Sequence, residues 1–249
     1  MMSHNRRQMK AFAKTGVKTL VLLVVGLLFV APLLWMVSSS LKAPFEVFKT
    51  PFCWIPDRPR WDNYVNIWTN KTMPFLLLYY NSTKIALLSI LGRVLVSSLA
   101  AYAFAKIHFT GKQLVFTLFL ASIMIPGQVM IIPRFVLFHN IGLYDNHWAL
   151  ILPSWFNVTS IFLLVQFYKS MADELVDAAK VDGASHLQIW WRIIMPLTKP
   201  PMISIVILGF IGSWDDYLSP LVFLVSRQLY TVAQGVNYYY TMEAAKFNL

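Results

Sequence analysis

The sequence predicts an all-α integral membrane protein, and three observations predict it. Of its 249 residues, 57% are hydrophobic and 13% charged, about half the charged share of an average soluble domain. Apolar runs of about twenty residues recur, the length a helix needs to cross a hydrocarbon core of about 30 Å. The net charge of +10 comes from lysines and arginines gathered between those runs, the pattern of cytoplasmic loops. No nucleic-acid motif accompanies the basic residues, so nucleic acid is not expected as a partner. The lone Cys53 excludes an intrachain disulfide and a CxxC metal or redox site. The basic start and first apolar run lack a small-residue cleavage site, so that run is read as an uncleaved span.

Residues 1 to about 16, with Arg6, Arg7, Lys10 and Lys14, are expected in the cytoplasm. The first span covers about 17–37. Residues 40–80 then form an external segment kept irregular by Pro44, Pro51, Pro56 and Pro59. Its Phe52, Trp54, Trp61, Tyr64 and Trp68 suit the membrane–water boundary or contact with a partner. The second span, about 81–105, carries Ser89, Ser97, Ala101 and Ala105 in a stripe of small residues that permits close helix packing. Arg93 lies on the same stripe near mid-span. Either it lines a translocation path or it pairs with an acid on a neighbouring helix, here or on another chain.

Lys106, His108 and Lys112 make a basic cytoplasmic turn before the third span, about 113–132. Pro126 and Gly127 break that span near its outer end, as a gate element or a plain kink. An external loop with Arg134, His139 and Asp145 leads to the fourth span, about 148–168. The fifth, about 201–225, contains Trp214-Asp215-Asp216-Tyr217. Paired carboxylates at membrane depth mark a candidate path, although Ser219 and Pro220 also fit a solvated helix end. The polar, aromatic tail 226–249 is expected outside. No GxxxxGK[ST] loop is present, so ATP is not bound here by that motif.

The polar loop 169–199 holds the most specific signal. Leu175, Ala178 and Ala179 recur at helical spacing, and Glu174 and Asp177 favour the positive end of that helix. Asp182-Gly183 supplies a break, since glycine accepts the left-handed conformation. Ser185 with Gln188 has capping-box spacing for a second helix that stops near Pro196. The small Ala178 and Ala179 offer a face that another protein's surface can approach closely.

This loop resembles the cytoplasmic EAA loop of ABC importer permeases. The family pattern is Glu-Ala-Ala, three residues, Gly, nine residues, Ile-x-Leu-Pro. Here it reads Asp177-Ala178-Ala179, Gly183 and Ile193-Ile194-Met195-Pro196, with Asp for Glu and Met for Leu. Asn81-Ser82, Ala101 to Ala105, Gly142 to Asp145, Trp214 to Tyr217 and Tyr230-Thr231 resemble the carbohydrate (maltose/glycerol-phosphate-type) branch, with Asp215 and Tyr217 standing for Asn and Phe. The resemblance implies one α-helical transmembrane domain over 1–249 and a membrane-lipid setting. It also implies a second permease subunit, two ATPase subunits and an extracytoplasmic solute-binding protein. The chain itself would be non-catalytic and hold no cofactor, with ATP and Mg on the ATPases.

Glu174, Leu175, Asp177, Ala178, Ala179, Asp182, Gly183 and Ser185 would then couple to the ATPases. Arg93 and Trp214 to Tyr217 would be candidates for the path, and Pro126 and Gly127 for the helix break. The expected solute is a sugar or oligosaccharide, with glycerol phosphate as the alternative; an ion-coupled secondary transporter competes as a class. The family's sixth span is not visible. Glu243 to Phe247 looks like its beginning, so the sequence is expected to be a truncated permease.

Overall fold

The computed structural model describes residues 2–47, 49–51, 53–70 and 73–247, with side chains over 15–241 of these. All regular structure among them is helical. Where a single domain over 1–249 is expected, the chain divides into two compact units, Met1–Asn70 and Lys71–Leu249.

In the first unit α1 covers Met2–Ser40, with Pro32 inside it. Its stretch Thr15–Ser40 is long and apolar enough to cross a membrane. Leu22, Leu27, Leu28 and Phe29 stand exposed along it, as lipid-facing side chains do when the bilayer is the solvent. The segment that follows is less irregular than its prolines predict. It contains α2 (Pro44–Val47) and α3 (Asp62–Trp68). The Asn63 amide donates to the carbonyls of Ser40 and Lys42, at 2.9 and 3.1 Å. Lys42 lies 4.1 Å above the Trp35 ring, and Trp35 meets Trp54 edge-on. Phe52 lies outside the described residues.

The second unit is built around α4 (Phe75–Lys106), which starts six residues before the expected second span. Of its expected stripe of small residues, Ser89, Ser97 and Ala101 are each at most 1% exposed and Ala105 is half-buried; Ser82 and Ala86 extend the buried face. Gly92 continues this face under the Trp155 indole. A Cβ there would lie 2.0 Å from Trp155 Nε1, which donates to the Leu88 carbonyl at 3.1 Å.

The expected third span is not one helix. α5 (Lys112–Ala121) continues as a 3-10 turn only to Met124, and residues 125–130 form turns. α6 (Ile131–Asn140) then resumes where a polar external loop is expected. The 13 residues 112–124 rise about 20 Å, too little for the hydrocarbon core alone. The break expected at Pro126–Gly127 falls in the turn that separates α5 from α6.

α7 (Trp148–Trp155) and α8 (Val158–Lys169) together fill the fourth expected span, since Trp148–Lys169 is long and apolar enough to cross a membrane, with a short interruption after α7. Pro153 lacks an N–H for the ladder, and Asn157 starts a new helix by accepting the Ser160 N–H at 2.8 Å. α5 and α8 pack together, while Phe138 of α6 and Ala149 of α7 share a cluster with Phe223.

The loop segment comprises α9 (Glu174–Val181), α10 (His186–Ile189), a π turn over Trp190–Ile194, and α11 (Met195–Leu197). It bends by 82° into α12 (Lys199–Trp214). The fifth expected span also breaks, since α12 ends at Trp214 and α13 runs Leu218–Phe223. The tail is helical as α14 (Val232–Phe247), so Glu243 sits inside a helix that begins 11 residues earlier. The Val232 N–H donates to Ser82 Oγ, Gly235 packs on Leu78, and Tyr239 meets Phe75. α14 therefore runs opposite to α4, toward the end where α4 starts.

Candidate functional site

The 169–199 loop folds because each of its ends is chemically specified. Gly183 adopts φ +81°, and its N–H and that of Ala184 return to the carbonyls of Lys180 and Ala179, both at 2.9 Å. These bonds satisfy the end of α9 as a left-handed cap does. Ser185 then starts α10 with both halves of a capping box. Its Oγ accepts the Gln188 N–H, and its own N–H donates to Gln188 Oε1 at 2.8 Å. The second helix widens into its π turn just before Pro196, which has no N–H to return to residue 192. Buried Thr198 closes the segment, its hydroxyl donating to the carbonyls of Ile194 and Met195.

The loop has two faces. Val176, Ala179, Ile189, Trp190 and Ile194 are buried in a cluster with Ala101 and Tyr102 of α4 and Ile161, Leu164 and Tyr168 of α8. Leu175, Val181, Leu187 and Trp191 point outward and are 44%, 88%, 67% and 58% exposed. This splits the expected alanine pair. Ala178 is exposed, but Ala179 is 8% exposed and packs inward. Its small side chain fits the loop against α4 and α8 and offers no surface to a partner. Glu174, Asp177 and Asp182 are exposed. Asp177 lies 3.6 Å from Lys180 on its own helix, a solvent-screened pair of little energetic weight.

Sequence reasoning missed what fastens the loop. Lys106, the last residue of α4, is 5% exposed. Its ammonium donates to the Met171 carbonyl at 2.6 Å and to Asp173 Oδ1 at 2.5 Å. That bond, with the charge behind it, holds the Asp173 carboxyl below the usual carboxylate range. One turn up α4, the Tyr102 hydroxyl shares a 3.0 Å hydrogen bond with His186 Nδ1. One helix end thus grips both loop helices. The available signal was a lysine at a helix end facing an acidic loop start, read only as topology.

The candidate path residues are not brought into one cluster. Arg93 donates from Nε to the Ser154 carbonyl at 3.1 Å, and its guanidinium packs at Gly209 of α12. Among the described residues it pairs with neither Asp215 nor Asp216. Trp214 stacks on Phe210 and meets Tyr79. Half-buried Asp216 caps α13 by accepting the Ser219 N–H at 3.0 Å, which favours the helix-end reading for that carboxylate; Asp215 is exposed at the end of α12, and Tyr217 precedes α13. Pro126 and Gly127 are exposed in the 125–130 turn.

The end of α4 away from the 169–199 loop is held by side-chain clamps. The Asn81 amide donates to the carbonyls of Gln228 and Tyr230, at 2.8 and 3.0 Å. With the Ser82 bond to Val232, this joins two short sequence pieces some 150 residues apart. Asp145, at φ +53°, accepts the N–H groups of Val225 and Ser226 and the Ser226 hydroxyl. Burial works to raise its pKa, but these three bonds outweigh it and hold the carboxyl below its ordinary value. His147 Nε2 meets the Leu229 carbonyl at 2.9 Å, and burial pushes its pKa down.

Comparison with known proteins places this architecture. A profile of the family described as binding-protein-dependent transport system inner membrane component matches residues 93–246. The sn-glycerol-3-phosphate transport system permease protein of Yersinia enterocolitica is 32% identical over 239 residues, covering 94% of this chain and 83% of that protein. The diacetylchitobiose uptake system permease protein of Streptomyces coelicolor is 28% identical over 220 residues, covering 88% and 72%. A chain from the crystal structure of a bacterial ABC transporter involved in import of the acidic polysaccharide alginate shares the fold. Its TM-score is 0.77 at 22% identity, over 86% of this chain and 75% of that one. The chain belongs to the binding-protein-dependent transport system inner membrane component family, the membrane-spanning permeases of ABC importers.

Proposed function

We propose that this permease forms half of a translocation path with a second permease subunit, and that its 169–199 loop is the lever by which two ATPase subunits move it. The observation that carries this reading is the two-sided loop. One side is packed into α4 and α8, while the other leaves Leu187 and Trp191 exposed in a segment otherwise rich in charge. A partner that seats on the exposed side and shifts would carry α4 with it, because Lys106 and Tyr102 fasten the loop to that helix. ATP and Mg belong to the ATPases; the chemistry is theirs and the displacement is this chain's. The N-terminus and the loop lie in the cytoplasm, and an external binding protein delivers the solute.

The solutes named for the two permease relatives, a glycerol phosphate and a disaccharide derivative, are rich in hydroxyl groups. They support a sugar, oligosaccharide or polyol phosphate as cargo. The test is uptake into proteoliposomes holding the permease pair, the ATPases and the binding protein. Solute accumulates only with ATP and with the binding protein present. Accumulation driven by a proton or sodium gradient without ATP contradicts the proposal and favours a secondary transporter.

A further inference from the structure

The coupling loop makes no use of an open groove between α6 and α7. It has a volume of about 450 Å³ and is lined by Met130, Arg134, Leu137, Phe138, Pro153 and Phe156 among others. Two interruptions of the helical backbone border it. Met130 ends the 125–130 turn, and Phe156 follows the last residue of α7. No other part of this chain among the described residues fills the groove, since Leu137 is 54% and Phe156 66% exposed. The N–H groups of Met130 and Phe156 are bonded within their own turns, to the carbonyls of Gly127 and Pro153, and the groove stays open to a molecule that is not part of this chain.

Arg134 supplies the charge. The ion pairs among the described residues are Lys106–Asp173 and Lys180–Asp177, so no described carboxylate neutralises it there. Its planar guanidinium fork binds a carboxylate or phosphate with two parallel hydrogen bonds. The walls around it are apolar and aromatic, suited to the carbon face of a ring or chain.

We propose that this groove is a solute subsite of the translocation path and that it takes a solute bearing a carboxylate or phosphate, with Arg134 bonding the anion and Phe156 bearing on its carbon skeleton. The inference rests on the importer reading above and names a residue and a solute class for it. It moves the path away from Asp215 and Asp216, whose negative charge would repel such a solute.

The test uses the assembled importer in membrane vesicles, with Cys53→Ser as background and a single cysteine at Leu137→Cys or, on the opposite wall, Phe156→Cys. Each thiol is titrated with two membrane-impermeant reagents of opposite charge, sulfonatoethyl and trimethylammonioethyl methanethiosulfonate. Relative to free thiol, the anionic reagent should be favoured about tenfold, the order expected when opposite probe charges meet one guanidinium in a wet cleft. Arg134→Gln should abolish the preference at both positions. Vesicles made with or without phosphatidylglycerol should give the same rates. Thiols unreactive in the assembled importer, a charge preference that survives Arg134→Gln, or protection by the anionic lipid overturns the proposal; these outcomes indicate a partner-covered face, another charge, or a lipid site. ATP-dependent uptake measured on the same vesicles keeps the two readings apart. Uptake without charge preference sinks the subsite alone, and charge preference with ATP-independent uptake sinks the importer reading alone.

Discussion

Gly183 shows how one backbone angle governs the loop. Nothing lies within 4 Å of the Cβ that a substitution would add, so the demand at φ +81° is conformational and not steric. Left-handed backbone costs an L residue about 1–2 kcal/mol, and a β-branched residue tolerates it least. Gly183→Val should leave the protein inserted but lower uptake at unchanged ATP hydrolysis, while Gly183→Asn should stay near wild type because Asn accepts this region. Equal activity of the Val and Asn variants in paired uptake and hydrolysis assays contradicts the account. Asp145 is a second residue-scale case. Its folded pKa is depressed by the bonds from Ser226 and Val225. It therefore contributes stability above its unfolded value of about 3.9, and that contribution disappears as pH falls through the folded value. Thermal unfolding followed from pH 6 down to about pH 3 should show a smaller pH slope in Asp145→Asn than in wild type. Gly183 was legible because a turn between two amphipathic segments names its glycine. The bonds of Asp145 were not, because its partners lie about 80 residues away.

At the scale of elements, hydropathy located the long apolar helices but not α6, the helical tail α14 or the breaks after α7 and α12. Pro126–Gly127 was visible as a break, yet Arg134 and His139 made the next residues read as a loop. They form α6 instead, with Ile132, Val136 and Leu137 exposed along it. Asp215–Asp216 reads from sequence either as a path at membrane depth or as a solvated helix end, and Asp216 caps the short helix beyond it. In each case a polar residue has a local partner or a cleft that single-residue hydropathy does not contain. The bond from α4 to the loop is the element-scale claim with the clearest consequence. Lys106→Met removes both contacts of the ammonium and leaves the Met171 carbonyl without that donor. Insertion and ATPase association should persist while solute moved per ATP falls several-fold. Lys106→Arg, which keeps charge and donors, should recover most of the loss. A merely structural lysine would instead lower the amount of assembled complex and leave that ratio alone.

For the whole molecule, the loop has a packed face and an exposed face and is fastened to the last turns of the central helix α4. The basic residues Lys106, Lys112, Lys169 and Lys180 around it agree with a cytoplasmic position. Ala178 is the position to probe, because it is exposed where Ala179 is not. The most direct measurement places a single cysteine there, Ala178→Cys in a Cys53→Ser background, within the importer in native membranes. The account predicts that it resists a membrane-impermeant thiol reagent in intact cells, reacts in inverted vesicles, and forms a disulfide with a cysteine on the ATPase surface whose yield changes when ATP binds. Labelling of Ala178→Cys from outside intact cells, or a thiol on the inner side that never links to the ATPase in any nucleotide state, contradicts it.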